Sequence, residues 1–123
     1  MNYQIDQERR LLIATWRGRH DPLTIQNYVK ALMADANFSK GFHYISDQRE
    51  LETTPTKVSI ETGIVFLKIL LSKLGPYKYG IVSKKLGTYD LDHLRSLMTH
   101  LPEIQVEEFT ELDDAIRWVE KED

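Results

Sequence analysis

The sequence predicts an α/β domain in which four helices surround a mostly parallel, mixed five-stranded sheet, in the order β-β-α-β-α-β-α-β-α. Short runs rich in β-branched and aromatic residues alternate with longer segments whose apolar residues recur at helical spacing. Repeated alternation of this kind is typical of parallel strands joined by crossover helices. The first two strands have no helix between them, so we expect them to form an antiparallel hairpin.

Length and composition limit the class of protein. The chain has 123 residues, of which 41% are hydrophobic and 28% charged, as expected for one domain spanning 1–123. A net charge of −3 provides no broad basic field, which argues against a nucleic-acid partner. The absence of cysteine excludes disulfides, thiolate catalysis and cysteine zinc sites.

The chain also lacks the apolar segments that direct a protein into or across a membrane. Its first ten residues are polar, and its longest apolar stretch, Gly63 to Leu71, is far shorter than the ~20 residues of a membrane span. We therefore expect a cytoplasmic protein with no transmembrane segment.

The first half of the chain predicts two strands and a helix. Tyr3 and Ile5 alternate with polar neighbours, as in an edge strand, and Leu11 to Trp16 is a β-prone run that we expect to be covered on both faces. Asp21 and Pro22 form a favourable helix start, because an N-cap acceptor precedes a residue whose φ is already helical. The apolar stripe of this helix comprises Ile25, Tyr28, Val29, Leu32 and Met33.

The third strand and second helix come next. Phe42 to Ser46 is predicted as the strand and 47–50 as a charged loop, with Thr54 capping the following helix and Pro55 at its first position. A helix that is apolar nearly all round must be covered on more than one side, by neighbouring helices, a partner chain or an apolar ligand. Its apolar residues are Ile60, Ile64, Val65, Phe66, Leu67, Ile69, Leu70, Leu71 and Leu74.

The remaining elements complete the alternation. Tyr77 to Ser83 and Ile104 to Phe109 are predicted strands. The helix between them carries Leu91, Leu94, Met98 and Leu101 on one side. Thr110 to Asp113 approximates a capping box for the last helix.

The element order, the Asp that follows the third strand in YISDQRE, the long apolar helix after it and the closing VEEFTELDDAIRWV resemble the SpoIIAA-like proteins of the STAS superfamily. The resemblance covers nearly the whole chain and implies successive strands in a mixed sheet with helices packed around it. The family includes anti-sigma-factor antagonists, domains of anion transporters and small stand-alone bacterial proteins. The resemblance therefore implies a non-enzymatic interaction or regulatory domain.

The antagonists of that family carry a phosphorylatable serine in an Asp-Ser-Ser/Thr-Gly turn at the start of the second helix. This chain has Glu52-Thr53-Thr54-Pro55 at the matching place, so the switch motif is missing. Thr53 and Thr54 are candidate phosphoacceptors, but helix capping alone explains a Thr-Pro pair at that position.

Ligands of parallel sheets bind where loops leave the carboxyl ends of the strands. The residues that the order places at this rim are His20, Asp21, Asp47, Arg49, Glu50, Ser83, Lys84 and Lys85. They form either a ligand or partner site, or a solvated edge with local ion pairs. Asp47 ends an apolar strand, so we predict that it is partly buried and bonded to amides of its own turn or to Arg49.

No catalytic or cofactor motif is present. The sequence has no phosphate-binding glycine loop, no GxSxG elbow and no dinucleotide fingerprint. His93 and His100 lie seven residues apart and match no metal-ligand spacing. We therefore predict no catalytic residues, no metal, no cofactor and no enzyme activity.

Three functional hypotheses follow. The first is a non-enzymatic interaction module that binds a protein partner or a second copy of itself. The second is a binder of a small lipid-like or anionic amphipathic ligand, in peripheral contact with a membrane surface. In that case the apolar wall comprises Val65, Phe66, Ile69 and Leu70, and the head lies near Lys84 and Arg49. The third, an enzyme, requires His20 and Asp47 to converge in a cleft.

Overall fold

The computed structural model describes residues 2–38, 41–52, 55–74, 77–87, 91–97 and 104–121, without the side chains of 66–74, 77, 91 and 97. The predicted α/β class and element order are confirmed. The elements are β1 (Asn2–Asp6), β2 (Leu11–Gly18), α1 (Pro22–Ala34), β3 (His43–Leu51), α2 (Lys57–Leu74), β4 (Tyr77–Val82), α3 (Leu91–Leu97), β5 (Ile104–Phe109) and α4 (Leu112–Glu120).

The five strands form one sheet in the order β1-β2-β3-β4-β5. β1 is antiparallel to β2, and every later pair is parallel. Because β2, β3 and β4 are parallel, the chain leaves all three strands along the same edge of the sheet, which we call the carboxyl edge. The connections that begin there lie side by side.

Each face of the sheet has its own hydrophobic core. On the first face, residues of α1, α2 and α3 pack against alternate residues of the strands. This first core includes Leu12, Ala14, Trp16, Ile25, Tyr28, Leu32, Tyr44, Ile64, Ile81, Leu94 and Val106. On the second face, α4 contributes Ala115 and Val119 to a smaller core with Leu11, Ile45 and Val82.

The helix α4 lies against β3, β4 and β5. It approaches β4 closely at Gly80, where an added Cβ would lie 3.6 Å from the Cβ of Ala115. Ala115 is fully buried there, so two small residues set the distance between helix and sheet. The contacts of α4 leave the second face of β1 largely uncovered.

The third strand is longer than predicted, because 47–50 belong to β3 rather than to a loop. Thr15 is paired with Asp47 and Arg17 with Glu50, so one residue of β2 lies opposite two of β3. This irregularity is a β-bulge, and the ladder continues beyond it to Leu51. The charged side chains of this segment favoured a loop in the prediction. In the structure, ion pairs within β3 and with β2 allow these side chains to lie in a strand.

The start of α2 also differs from the prediction. The helix begins at Lys57, and Thr56 caps it: its Oγ1 accepts a hydrogen bond from the amide of Ser59 at 3.1 Å. Pro55 therefore precedes the cap instead of occupying the first helical position. Thr54, the predicted cap, lies outside the described residues.

Two smaller predictions about helices are also wrong, and one is confirmed. The N-cap of α4 is Glu111, which makes no side-chain capping bond, so the capping box predicted from Thr110 is not formed. Met33 is 38% exposed and contributes little to the buried stripe of α1. Asp21 caps α1 as predicted, with Pro22 as the first helical residue.

No helix among the described residues is long and apolar enough to span a bilayer.

Candidate functional site

The carboxyl edge carries the predicted rim residues, and the structure divides them between the two faces of the sheet. Asp47 is in register with Val82, which belongs to the second core, so its side chain lies on the second face. His20 stacks on Trp16, a residue of the first core, with ring centroids 4.4 Å apart. The general base and the carboxylate of the enzyme hypothesis therefore lie on opposite faces.

Asp47 forms a bidentate ion pair with Arg49. Arg49 donates from Nε to Oδ1 at 3.0 Å and from Nη2 to Oδ2 at 2.9 Å, and its backbone amide donates to Oδ1 at 3.2 Å. The predicted pairing of Asp47 with Arg49 is confirmed, while the amide that contacts Asp47 belongs to β3 and not to a turn. The side-chain hydrogen bonds from Arg49 to Asp47 raise the pKa of Arg49 above its ordinary value.

Glu50 lies beyond the bulge and pairs with Arg17 on the neighbouring strand. The Nε of Arg17 lies 3.0 Å from Oε2 of Glu50, and both side chains are more than half exposed. An exposed pair of this kind contributes ~0–1 kcal/mol, so it does little to rigidify the edge.

Asp21 and His20 have mainly structural surroundings. Asp21 accepts hydrogen bonds at 2.9 Å from both the amide and the hydroxyl of Thr24, and these bonds lower the pKa of Asp21. Burial against Trp16 lowers the pKa of His20 to about 4, so its imidazole is neutral at pH 7. Both residues are partly exposed, and the contacts of each are with its own connection or with Trp16.

The loop after β4 is held by a buried carboxylate that the sequence analysis did not single out. Glu108 accepts hydrogen bonds from the hydroxyl of Ser83 at 2.9 Å and from the amide of Gly87 at 2.8 Å. Lys84 reaches across to the carbonyl of Leu51 at 3.4 Å. Ser83 therefore braces the loop that contains Lys84 and Lys85. Strand alternation signalled Glu108, since it lies two residues after the buried Val106.

Buried polar side chains continue from Glu108 across the first face. Gln48 donates from Nε2 to the hydroxyl of Ser46 at 2.9 Å, and both residues are buried. Burial also raises the pKa of Tyr79 to about 12, so its phenol stays protonated. Among the described residues, Oε1 of Gln48 and Nε1 of Trp16 have no hydrogen-bond partner.

Three exposed apolar side chains also lie at the carboxyl edge. Leu23 is in the first turn of α1, Val58 is in the first turn of α2, and Leu86 is in the loop after β4. Their exposed fractions are 65%, 64% and 59%. We call these three residues the apolar rim. These residues were not predicted as a site, because each lies in a helix start or loop, outside the main apolar stripes.

Four cationic residues lie on the same connections as the apolar rim. Arg19 precedes α1, Lys57 begins α2, and Lys84 and Lys85 precede Leu86. All four residues are exposed. The edge therefore combines apolar and positively charged side chains over three adjacent connections.

The predicted apolar wall is described only in part. Val65 is 55% exposed, which suits a surface contact better than a closed pocket. The side chains of Phe66, Ile69 and Leu70 lie outside the described ones, as do Thr53 and Thr54, the candidate phosphoacceptors. Their predicted roles stay predictions.

Two clefts among the described residues lie away from the carboxyl edge. A cleft of about 770 Å³ runs along β1 and β2 beside Gln4 and Ile13. A second, of about 440 Å³, lies at the opposite end of the sheet between Arg10, His43 and Lys78. Lys78 is buried there and donates to the carbonyl of Trp118 at 3.1 Å, which stabilises the end of α4.

Comparison of the chain with protein-family models, with curated proteins and with solved structures found no match. Any statement about function therefore depends on the fold and on the chemistry of the carboxyl edge. Within the described residues, no group of three or more His, Asp or Glu side chains is placed to hold a metal ion.

Proposed function

We propose that this chain is a cytoplasmic, non-enzymatic interaction domain of the SpoIIAA-like kind, and that it binds a protein partner through its carboxyl edge. The observation that carries this proposal is the apolar rim, in which three large apolar side chains are exposed on three adjacent connections. Large apolar side chains that are exposed on neighbouring connections favour an interaction site when they form one patch.

The neighbouring charges indicate what the partner surface contains. Arg19, Lys57, Lys84 and Lys85 lie on the same connections as the apolar rim, so we expect a complementary surface to carry acidic groups beside apolar side chains. The separation of His20 from Asp47 across the sheet supports a role in binding rather than in catalysis. The strand order is also the one that the SpoIIAA-like resemblance implies.

Paired surface substitutions test the partner proposal. We expect the Val58→Ser, Leu86→Ser double variant to lose most binding of its cellular partner, because it removes two thirds of the apolar rim. The measurement is quantitative mass spectrometry of proteins retained by the immobilised domain. The control is the Met33→Ser, Val65→Ser double variant, which also replaces two exposed apolar residues but leaves the rim intact. Equal retention by both variants would contradict the proposal.

A second candidate function is the binding of an anionic amphipathic ligand, such as a lipid of a membrane surface. The cations beside the apolar rim favour it, because they match an anionic head next to an acyl chain. Co-sedimentation with phosphatidylglycerol vesicles tests it, with phosphatidylcholine vesicles as the control. We expect binding to the anionic vesicles alone, and a Lys84→Gln, Lys85→Gln variant to bind more weakly. Equal binding to both lipids would exclude this candidate.

A further inference from the structure

The open edge of the sheet at β1 suggests a second interaction surface. We propose that two copies of this chain pair their β1 strands antiparallel about a two-fold axis at Gln4, joining two five-stranded sheets into one of ten strands. This surface is separate from the carboxyl edge, and it does not depend on the function proposed above.

The two outer strands of the sheet, β1 and β5, differ in how their edges are protected. On β5, the guanidinium of Arg95 donates to the carbonyl of Val106 at 3.0 Å and lies 3.7 Å from Glu107. The side chain of Glu107 is 46% exposed, so it adds a charge to this strand. Occupied carbonyls and charges are common ways in which proteins prevent an edge strand from pairing.

β1 has few of these protections. Its sequence, NYQID, contains no lysine, proline or glycine, and its single charge is at the last position, Asp6. The strand pairs with β2 on one side and forms the outer edge on the other. Unprotected edge strands of this kind are templates for strand addition by another chain.

The residues of β1 complement one another when the strand meets a second copy of itself. An axis at Gln4 places Tyr3 opposite Ile5 of the second copy, and Ile5 opposite its Tyr3. Both residues already pack against the first core, so these two pairs would extend that core across the interface. Pairs of an aromatic and a β-branched residue are favourable across antiparallel strands.

The polar residues of β1 also match. Asn2, Gln4 and Asp6 are exposed, and they alternate with Tyr3 and Ile5. The same axis places Gln4 opposite Gln4, and Asn2 opposite Asp6, whose Oδ1 also accepts from the amide of Arg9 at 3.0 Å. A shift of one residue would place apolar side chains opposite polar ones, and a shift of two would leave three pairs instead of five. The register centred on Gln4 is therefore favoured.

The size of the contact determines how strong the association is. A pairing of five residues buries less than the roughly 1,200–2,000 Å² of a stable interface, so we expect a weak dimer that forms as concentration rises. The cleft beside Gln4 and Ile13 would then adjoin its symmetry-related copy on the second face.

Cysteine cross-linking tests the register directly, because the chain contains no cysteine of its own. We expect the Gln4→Cys variant to form a covalent dimer, under mild oxidation or with a short bismaleimide, at least ten times faster than Gln26→Cys, an exposed control on α1. Asn2→Cys and Asp6→Cys should each dimerise slowly alone but cross-link to each other when mixed. Equal rates for Gln4→Cys and Gln26→Cys would overturn the proposal.

A charge substitution gives a second, reversible measurement. Gln4→Lys places two like charges opposite each other at the axis, while its side chain remains exposed in the monomer. In sedimentation equilibrium we expect at least a ten-fold weaker self-association than for Gln26→Lys, with unchanged circular dichroism for both variants. Unchanged self-association of Gln4→Lys would also overturn the proposal.

Discussion

At the scale of single residues, the two ion pairs of β3 differ in burial and therefore in importance. The side chain of Asp47 is 9% exposed, and Arg49 binds both of its carboxylate oxygens. The pair between Arg17 and Glu50 has a similar distance but is solvated on both sides. Breaking a buried ion pair lowers the free energy of unfolding substantially, whereas breaking an exposed pair changes it little.

Two substitutions measure that difference. We expect Asp47→Asn to lower the free energy of unfolding by about 2 kcal/mol, because Arg49 loses its ionic partner and one acceptor becomes a donor. Glu50→Gln should lower it by less than about 0.5 kcal/mol. Urea unfolding at pH 7 measures both, and equal losses would show that burial of Asp47 is not the decisive factor.

His20 makes the stability of the fold depend on pH. Its pKa in the folded protein is about 4, against 6.5 for an ordinary histidine, so the unfolded chain binds the proton first as the pH falls. The contribution of neutral His20 is complete above pH 6.5 and is lost between pH 6.5 and 4. The shift corresponds to a loss of about 3 kcal/mol across this window.

Unfolding by urea between pH 7.5 and 4 tests this prediction. We expect the His20→Gln variant to lack this part of the pH dependence, so that the difference in stability between the two proteins shrinks or reverses as the pH falls. Parallel curves for wild type and variant over the whole range would refute it. The carboxylates titrate in both proteins, so the comparison isolates His20.

At the scale of elements, the start of α2 depends on Thr56. Its hydroxyl accepts from the amide of Ser59, and its carbonyl accepts from the amide of Ile60 at 3.0 Å. Thr56 therefore accepts hydrogen bonds from two amides of the first turn, those of Ser59 and Ile60.

Removal of that cap should destabilise the protein. We expect Thr56→Ala to lower the free energy of unfolding by about 1 kcal/mol, because an amide of the first turn loses its acceptor. The matched control is Thr62→Ala, in which a threonine inside the same helix is replaced by a residue of higher helix propensity. Chemical denaturation measures both variants, and a neutral Thr56→Ala would show that the cap does not limit stability.

Another element, β3, connects local sequence with the site. Gln48 contacts Ser46 and Arg49 contacts Asp47, in each case two positions away on the same strand. Asp47 and Arg49 are two positions apart, so an interaction between them could be predicted from strand geometry. The bulge could not, because it depends on how β3 aligns with β2 beyond Thr15.

At the scale of the whole molecule, unequal coverage of the two faces determines which surfaces are open. α1, α2 and α3 contribute to the first core, while α4 is the one described helix that packs on β3 to β5 at the second face. The apolar rim lies at the carboxyl edge, and the open strand β1 lies at the side of the sheet. The molecule therefore presents two separate candidate surfaces, one for a partner and one for a second copy.

The order of strands and helices, the antiparallel first pair and the contact between Asp47 and Arg49 could all be predicted from the sequence. These features follow from local periodicity and from interactions over two or three residues, which adjacent letters of the sequence encode. The cap of α1 by Asp21 belongs to the same group.

Which rim residues lie close together could not be predicted from the sequence and depends on the tertiary structure. His20 and Asp47 share an edge but lie on opposite faces, and Glu108 meets Ser83 and Gly87 although 21 residues or more separate them. Side chains alternate between the two faces of a sheet, so the face on which each residue lies depends on the register of its strand. Pairing between strands sets the register, and it joins residues that are far apart in the chain. Local sequence patterns therefore do not reveal it.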